Sequence, residues 1–381
     1  MPRLGVYIHW PFCRSKCPYC DFFSRVKKDV DQAAIVDGYL ADLEYYRGLN
    51  DGYTVDSVFF GGGTPSLLEP KQIARILDKI AALWPLSEQP EISLEANPNT
   101  DRPGLFADLR AAGINRLSLG VQALNDADLR FLGRTHGVKE ALASVDSVLK
   151  NFDNHSLDLI YARPGQTPTA WERELRQAAA LGMKHLSLYQ LTIEEGTVFA
   201  LKNVPAMEEE AAAALYRLSE ELTSAAGYRQ YEISNYAAPG SECRHNLGYW
   251  QGDDYVGVGN GAVGRLHCGK KLFSTTHPRQ LEEVTPRERA EELTIMGLRL
   301  NEGIDKTRFA ALSGLAWEDF ADRGQLAALK DEGLVEETPQ NVRVTPAGRL
   351  LLNYVIEQIC LKNLKISYIV SSETGDVCFE G

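Results

Sequence analysis

Short apolar runs alternate with longer segments of helical periodicity over about the first 190 residues, and this alternation limits the fold more than any other feature of the chain. The runs predict six strands, at 4–9, 56–60, 91–95, 116–121, 155–160 and 184–191. Apolar residues recur with helical spacing in the intervals between them, for example over 70–83. Repeated βα steps favour a parallel sheet with helices outside it, and right-handed crossovers favour a barrel or an open part-barrel. We therefore predict an α/β fold built on a partial (β/α)6 barrel.

The pattern changes near residue 285, where a second, smaller domain is expected. Helices over 287–300 and 325–332, a hairpin over 334–344 and a last helix over 345–359 suggest a winged-helix-like α+β domain that serves as a lid or docking element. The segment 235–263 is rich in Gly, Tyr and Asn and is expected to be a functional loop. The predicted organisation is a barrel core at 1–235, a loop and connecting region at 236–284, the small domain at 285–359, and a tail at 360–381 to which the sequence assigns no role.

Charge and hydropathy exclude several classes of protein. The 381 residues carry a formal net charge of −12, so no nucleic-acid partner is expected, and any membrane contact should be peripheral at most. No apolar run approaches the roughly 20 residues of a membrane span, and residues 1–30 lack the apolar stretch of a signal peptide. Seven cysteines, an odd number, do not suggest a disulfide framework. We therefore expect a cytoplasmic protein in a reducing compartment.

Three cysteines, Cys13, Cys17 and Cys20, form a C-x3-C-x2-C cluster just after the first predicted strand. Thiolates bind iron–sulfur clusters or zinc. Three thiolates on a [4Fe–4S] cluster leave one iron open, where S-adenosylmethionine would bind through its amino and carboxylate groups and be cleaved to a 5′-deoxyadenosyl radical. The alternative is a zinc site completed by His9, Cys243 or Cys268.

Polar and glycine residues follow the next predicted strands, at the edge where a βα fold places its chemistry. Gly61-Gly62-Gly63-Thr64-Pro65 is either a tight βα turn or a cradle for the methionyl amino group, because consecutive glycines let a ligand approach the backbone closely. The acidic residues Glu95 and Asp158 end strands, and Gln122 and Arg134 follow the fourth strand. A ribose diol needs acceptors and a carboxylate needs donors, although each residue alone is also consistent with a surface or cap position.

Together these stretches resemble the radical S-adenosylmethionine superfamily and, within it, the oxygen-independent coproporphyrinogen III oxidase family. The matching segments are VYIHWPFC, CPYCDFFS, FFGGGTPS, ISLEANP, RLSLGVQALND, LGRTHG and LDLIYARPGQTP. The resemblance covers most of residues 4–355, including the C-terminal domain.

The resemblance implies a role for each matching position. It makes Cys13, Cys17 and Cys20 the ligands of the [4Fe–4S] cluster. It places Tyr7 against the methionyl part of S-adenosylmethionine, Tyr19 on the adenine, and Gly62, Gly63 and Thr64 around the amino end. The residues that would line the rest of the cofactor site are Glu95, Gln122, Arg134 and Asp158, together with Thr192.

Two features separate this chain from the oxidases of that family, and a third resembles its heme chaperone (HemW-like) branch. Oxidases carry a fourth cysteine two places after the third, where this chain has Phe22, and they have a longer segment before the cluster. This chain also has an H-N-x-x-Y-W pattern from His245 to Trp250. The resemblance to the heme chaperone branch implies that this histidine is the ligand of the heme iron. A neutral imidazole is a common axial ligand of heme iron, and Tyr249 and Trp250 offer flat faces for a porphyrin. The alternative is an ordinary polar and aromatic loop at the barrel mouth.

Two departures from the family leave the substrate face open. The family has Tyr-Gly-Leu-Pro where this chain has Tyr161-Ala162-Arg163-Pro164, and a histidine where it has Val263. The first functional hypothesis is a heme chaperone that delivers heme to acceptor, respiratory hemoproteins. The second is oxidative decarboxylation of coproporphyrinogen III in porphyrin biosynthesis, and a zinc-dependent structural module ranks third. The expected partners are heme or a porphyrinogen, heme-accepting proteins, and an electron donor such as flavodoxin or ferredoxin.

Overall fold

The structure, a computed structural model, describes residues 2–49, 52–100 and 102–360, and the backbone of two short strands, Tyr368–Val370 and Val377–Phe379. Six parallel strands lie side by side in chain order at the centre of a twelve-stranded sheet. We call them the first to sixth barrel strands: Arg3–Trp10, Thr54–Gly62, Leu86–Ala96, Arg116–Gln122, Asn154–Tyr161 and His185–Gln190. The predicted α/β architecture is confirmed.

Helices connect the barrel strands and cover the sheet. The main ones are Gln32–Leu49, Pro70–Leu83, Leu105–Ala111, Val138–Asn151, Pro168–Ala180 and Glu209–Ala225, with shorter helices at Asp126–Phe131 and Val198–Leu201 and single turns at Pro65–Leu67 and Pro98–Thr100. Pro70–Leu83 illustrates why these segments are helical. A proline occupies its first turn, where no amide donor is needed, and Ile73, Ile76 and Ile80 form a fully buried stripe. Burial of that stripe against the sheet fixes the helix in place.

The sheet continues beyond the barrel on both sides. Next to the sixth strand lie the antiparallel strands Asn235–Ala237 and Arg229–Gln230. Next to the first strand lies Asp254–Val258, which is parallel to it and is followed by three antiparallel strands, Val263–Cys268, Lys271–Thr276 and Gln280–Val284. The loop predicted over 235–263 is therefore largely regular structure, including the helix Arg244–Trp250. Glycines interrupt the apolar pattern here and conceal these short elements.

The C-terminal domain joins short helices to a three-stranded antiparallel sheet. Its helices are Pro286–Gly297, Lys306–Ser313, Trp317–Phe320, Arg323–Asp331, Pro346–Arg349 and Leu352–Cys360, and its strands are Ile304–Asp305, Asn341–Val344 and Val335–Glu337. This is the winged-helix-like arrangement that the sequence predicts. The predicted last helix is two helices, because the chain turns at 350–351.

The small domain and the barrel are joined through Trp250. This residue ends the helix Arg244–Trp250, yet it is buried in the core of the small domain with Leu293 and Phe309. The Nη2 atom of Arg289 also donates to the carbonyl of Gly252 at 2.6 Å. No described helix is both long and apolar enough to cross a membrane. The predicted tail lies outside the described residues apart from Cys360 and the backbone of its two short strands.

Candidate functional site

Eleven of the fourteen predicted site residues line one cavity at the carboxyl ends of the barrel strands, which we call the cysteine cavity. They are Cys13, Cys17, Tyr19, Cys20, Gly62, Gly63, Thr64, Glu95, Gln122, Arg134 and Asp158. The space it encloses, counting the open mouth, is about 980 Å³, at the upper end of the range for small-molecule sites. The structure therefore brings together residues that are 145 positions apart in the sequence, from Cys13 to Asp158.

The cysteines come from the segment that follows the first barrel strand. Phe12–Cys13 pairs in parallel with Arg25–Val26, which closes the segment into a loop. Burial raises the pKa of the Cys13 thiol, and a hydrogen bond with the hydroxyl of Thr64 opposes that rise. The Nη1 atom of Arg134 donates to Cys17 Sγ at 3.3 Å. Donors of this kind stabilise thiolates, the form in which cysteine binds a cluster.

The glycine turn packs tightly against the cysteine loop. A Cβ atom on Gly63 would lie 2.8 Å from the carbonyl oxygens of Trp10 and Phe12. A Cβ atom on Gly62, whose φ is +102°, would lie 2.6 Å from the ring of His9. The amides of Gly63 and Thr64 donate to Trp10 and Phe12, at 2.8 and 3.0 Å. The glycines are thus needed for close packing beneath the cysteines, as well as for lining the cavity.

Donors and acceptors suited to a polar cofactor surround this loop. Gln122 has a φ of +73°, and its Oε1 atom is buried without a hydrogen-bond partner among the described residues. Arg134 donates to the side chain of Asn97 and, at 2.8 Å, to the carbonyl of Gly120. Asn97 also lines the cavity, and sequence reasoning missed it although it lies in the ISLEANP segment. Three thiols, a glycine cradle and an unpaired amide oxygen fit a cluster with S-adenosylmethionine.

The structure does not bring the proposed fourth zinc ligands to the cysteines. Cys243 is buried beside Glu91, and Cys268 ends an outer strand of the sheet. The two ring nitrogens of His9 are hydrogen-bonded to the Tyr7 hydroxyl, at 3.2 Å, and to the carbonyl of Phe23, at 2.9 Å. Within the described part of the chain, no three His, Cys, Asp or Glu side chains are grouped so that they could hold a single metal ion.

A second cavity, the interior cavity, runs from the cysteine cavity into the barrel. Glu95, Asp158 and Tyr189 line both cavities, so they form a shared wall. The interior cavity has a volume of about 880 Å³ when its open mouth is counted, and it is also lined by Tyr7 and His245. Burial raises the pKa of the Asp158 carboxyl, and hydroxyl donors oppose this, with Ser118 Oγ at 2.9 Å. A molecule in the interior cavity would lie next to whatever occupies the cysteine cavity.

His245 lies deep in the barrel, not at its mouth. Its Nδ1 atom is 2.9 Å from the hydroxyl of Ser57, and its ring is stacked 5.2 Å from that of Phe59. Ser57 precedes Gly62 by five residues, which corresponds to about 17 Å along the strand. Burial lowers the pKa of His245 to about 4, so the imidazole is neutral at physiological pH. Its Nε2 atom has no hydrogen-bond partner among the described residues, which leaves that nitrogen available to a ligand.

The helix Arg244–Trp250 is held in place by Glu91, a buried residue of the third barrel strand. The Glu91 carboxylate accepts the backbone amides of Arg244 and His245, at 3.0 and 3.1 Å, and the thiol of Cys243, at 3.4 Å. Unpaired amides at the start of a helix need such an acceptor. Sequence reasoning missed Glu91, Ser57 and their contacts with the histidine motif, since nothing local in the sequence connects them.

Several predicted or noted residues lie away from the cysteine cavity. Tyr7 lines the interior cavity, and Thr192 is exposed, with its hydroxyl donating to the Gln190 carbonyl at 3.3 Å. Arg163, which stands where the family has leucine, is buried. Its guanidinium is paired with Glu174 and, at 3.0 Å, with Asp128. Val263 begins an outer strand and lines neither cavity. These two departures therefore do not alter either cavity wall.

Comparison with known proteins matches two regions of this chain to domain families. Residues 7–178 match the radical SAM superfamily, and residues 284–351 match the HemN C-terminal domain. The heme chaperone HemW of Escherichia coli K12 is 38% identical over 373 residues, covering 94% of this chain and 98% of that protein. The Mycobacterium tuberculosis H37Rv heme chaperone HemW is 34% identical, covering 93% and 94%. A mitochondrial radical S-adenosyl methionine domain-containing protein 1 from Bos taurus is 33% identical, covering 93% and 86%.

The fold is also similar to a solved structure. Coproporphyrinogen III oxidase (HemN) from Escherichia coli, described as a radical SAM enzyme, superimposes with a TM-score of 0.79 and covers 94% of this chain and 90% of its own. The sequence identity is 23%, so this likeness concerns the fold.

Proposed function

Because this chain belongs to the HemW heme chaperone family, within the radical SAM superfamily, we propose that it binds heme and delivers it to acceptor hemoproteins. The relatives that share this name cover the chain almost completely, at 34–38% identity in the two described above. We further propose that the acceptors are respiratory hemoproteins and that transfer takes place in the cytoplasm. The six cysteines whose side chains are described are all free thiols, consistent with a reducing compartment.

The observation that carries the proposal is the state of His245. Its imidazole is neutral and is held at Nδ1 by Ser57, while Nε2 has no hydrogen-bond partner among the described residues. It lies in the wall between the interior cavity and an outer cavity lined by Gly248 and Gln251. An oriented, neutral imidazole with one free nitrogen is what an iron ligand requires. We assign His245 as the axial ligand of the heme iron.

The cysteine cavity would hold the resident cofactors. We propose that Cys13, Cys17 and Cys20 ligate a [4Fe–4S] cluster, and that Gly62, Gly63, Thr64, Asn97, Gln122 and Arg134 bind S-adenosylmethionine. When bound, this pair supplies the reductive cleavage of a carbon–sulfur bond. The chain itself would position the thiolates through Arg134 and limit water in the cavity. An electron donor of the flavodoxin or ferredoxin class would reduce the cluster.

The test is a titration of reconstituted protein with hemin under anaerobic conditions, followed at the Soret band. We expect the parent to give a saturable Soret band and His245→Ala to lose or shift it. His277→Ala is a matched control, because His277 is half-buried beside Asp42 and lines neither the cysteine cavity nor the interior cavity. Equal heme binding by His245→Ala and the parent would contradict the assignment.

The shared wall supports a second candidate function. Because Glu95, Asp158 and Tyr189 border both cavities, a porphyrinogen in the interior cavity would lie beside the cofactor. Oxidative decarboxylation of coproporphyrinogen III would then produce protoporphyrinogen and two molecules of CO2, with S-adenosylmethionine as the source of the hydrogen-abstracting radical and a one-electron acceptor taking the remaining electron from each propionate. Anaerobic incubation of the same reconstituted sample with coproporphyrinogen III, reductant, S-adenosylmethionine and an added electron acceptor tests this reaction. We expect heme binding without turnover, and product formation would favour the second candidate.

A further inference from the structure

Two buried arginines line the interior cavity and lack hydrogen-bond partners. Arg116 begins the fourth barrel strand and is 2% exposed, and Arg299, from the C-terminal domain, is 8% exposed. The guanidinium of neither residue makes a hydrogen bond with any described residue, and the Nε atoms of both are fully buried. Burial of an unpaired charge is among the most costly arrangements in a protein. The cavity therefore presents unused donors at two separate positions.

The nearby carboxylates are already committed to other groups. Glu91 accepts the amides at the start of the histidine helix, and Asp158 accepts the hydroxyls of Ser118 and Ser156. Glu232 accepts the amide of Ser234 at 3.0 Å and hydrogen bonds from Asn235. These acids lie close enough to attract the guanidinium groups without hydrogen-bonding them. A ligand that brings carboxylate oxygens into the cavity would supply acceptors for both guanidinium groups.

The arginines share this cavity with the proposed heme ligand. Arg116 is close enough to His245 to affect its imidazole electrostatically, and Arg299 lies over the indole of Trp250, 4.9 Å from the ring centroid. Asn235 lines the same cavity and has a buried side-chain oxygen without a partner. Guanidinium groups bind carboxylates through paired donors, which gives strong and oriented contacts. A tetrapyrrole such as heme carries two propionate carboxylates.

We propose that the interior cavity is a carboxylate-binding site in which Arg116 and Arg299 hold the propionates of the heme bound at His245. The inference rests on the proposed function, and it names the part of the ligand that enters the barrel. Arg299 comes from the C-terminal domain, so that domain completes the site. It therefore acts as the lid that closes the barrel over the ligand.

The test compares hemin with its dimethyl ester, which keeps the ring and the iron but has no free carboxylate. We expect the parent to bind hemin at least about tenfold more tightly than the ester, the ratio expected for one lost charge-assisted hydrogen bond. This comparison needs no substitution, so it does not depend on the folding of a variant. Equal affinities in the parent would overturn the inference while leaving heme binding itself intact.

Variants then locate the effect. Arg116→Met and Arg299→Met should each lower hemin affinity by about tenfold and reduce the preference for hemin over the ester. Arg299→Lys, which keeps the charge, should lose less. The control is Arg173→Met, on the exposed side of the helix Pro168–Ala180, which should match the parent. Circular dichroism checks that each variant is folded.

A second source of carboxylate is the methionyl group of S-adenosylmethionine, and the same variants distinguish it. Equilibrium dialysis with S-adenosylmethionine should give the same stoichiometry in the parent, Arg116→Met and Arg299→Met. Loss of one bound S-adenosylmethionine, together with an unchanged preference for hemin over its ester, would assign the arginines to that molecule and overturn the propionate assignment. Failure of the parent to bind hemin at all would instead refute the proposed function.

Discussion

The hydroxyl of Ser57 lies 2.9 Å from the Nδ1 atom of His245, and this contact joins the second barrel strand to the helix that carries the candidate heme ligand. A hydrogen bond at Nδ1 fixes the ring orientation and the tautomer, and so determines which nitrogen is free. The contact is therefore expected to affect heme binding although Ser57 itself need not touch heme.

Replacement of Ser57 by alanine should weaken hemin binding by about 10- to 100-fold, the effect typical of losing an outer-shell partner of a metal ligand. The measurement is a hemin titration at the Soret band. Ser219→Ala is the control, because Ser219 is equally buried and accepts a hydrogen bond from Trp171 at 2.8 Å far from the cavities. Unchanged affinity in Ser57→Ala would show that the ring is oriented by stacking alone.

The free energy of unfolding should fall as the pH decreases from about 6.5 towards 4. Burial is the main cause of a lowered pKa in five of the seven histidines: His9, His136, His155, His185 and His245. Below the usual histidine pKa of about 6.5, the unfolded chain takes up protons that the folded protein does not, so unfolding becomes easier. The buried carboxyls of Asp158 and Glu232 have raised pKa values and act in the opposite direction in the same acidic range.

His136 provides a single-residue test of that pH dependence. Burial lowers its pKa to about 4, and its Nε2 atom lies 3.2 Å from the Val121 carbonyl. His136→Gln keeps a donor for that carbonyl but cannot titrate. The free energy of unfolding of the variant should therefore depend less steeply on pH than that of the parent, by up to about 1.4 kcal/mol per pH unit. Urea unfolding curves recorded between pH 7.5 and 5 measure how the free energy of unfolding depends on pH. Parallel slopes for the parent and the variant would contradict the prediction.

Gly63→Ala should disrupt the cysteine loop. Its Cβ atom would lie 2.8–2.9 Å from backbone atoms of Trp10 and Phe12, which cannot move without displacing Cys13. We expect iron and sulfide content after anaerobic reconstitution to fall to less than about half of the parent value. Gly38→Ala is the control, because Gly38 is helical with no atom within 4 Å of the new methyl group, and it should stabilise the protein by up to about 1 kcal/mol. Full iron content in Gly63→Ala would contradict the role assigned to the turn.

Arg163→Met should destabilise the protein by about 3–5 kcal/mol, because it leaves the buried carboxylate of Glu174 without its partner. The side chains of Arg163 and Glu174 are 2% and 7% exposed. Adding Glu174→Gln should recover part of the loss, since the neutral amide does not need a buried cation. Chemical denaturation measures both variants, and hemin affinity serves as the control readout that should not change. A cost below about 1 kcal/mol would contradict the prediction.

The barrel and the cysteine cavity were predictable because their signals are local. The βα alternation fixes the order of the strands, and the carboxyl ends of parallel strands meet at one edge, so Cys13, Gly63 and Arg134 had to lie near one another. The domain limits stay a prediction, as do the ligand roles of individual residues. Tyr7 lines the interior cavity and not the cysteine cavity, a difference that spacing alone does not reveal.

The interior cavity was not predictable from the sequence. It depends on where the helix Arg244–Trp250 docks, which is set by the contacts of Glu91 and Ser57 with residues more than 150 positions away. Arg299 reaches the same cavity from another domain. Such contacts follow from the three-dimensional packing of elements, for which neither periodicity nor spacing carries a signal.

Trp250 ends the helix of His245 but is buried in the core of the C-terminal domain. The histidine and that domain therefore cannot be exchanged separately between related barrels. A chimera joined after Trp250 would pack a different C-terminal domain against this indole. A chain that ended before residue 284 would leave the indole exposed to water. A recombinant that keeps heme binding should therefore keep the helix Arg244–Trp250 and the C-terminal domain together, with the junction placed before Arg244.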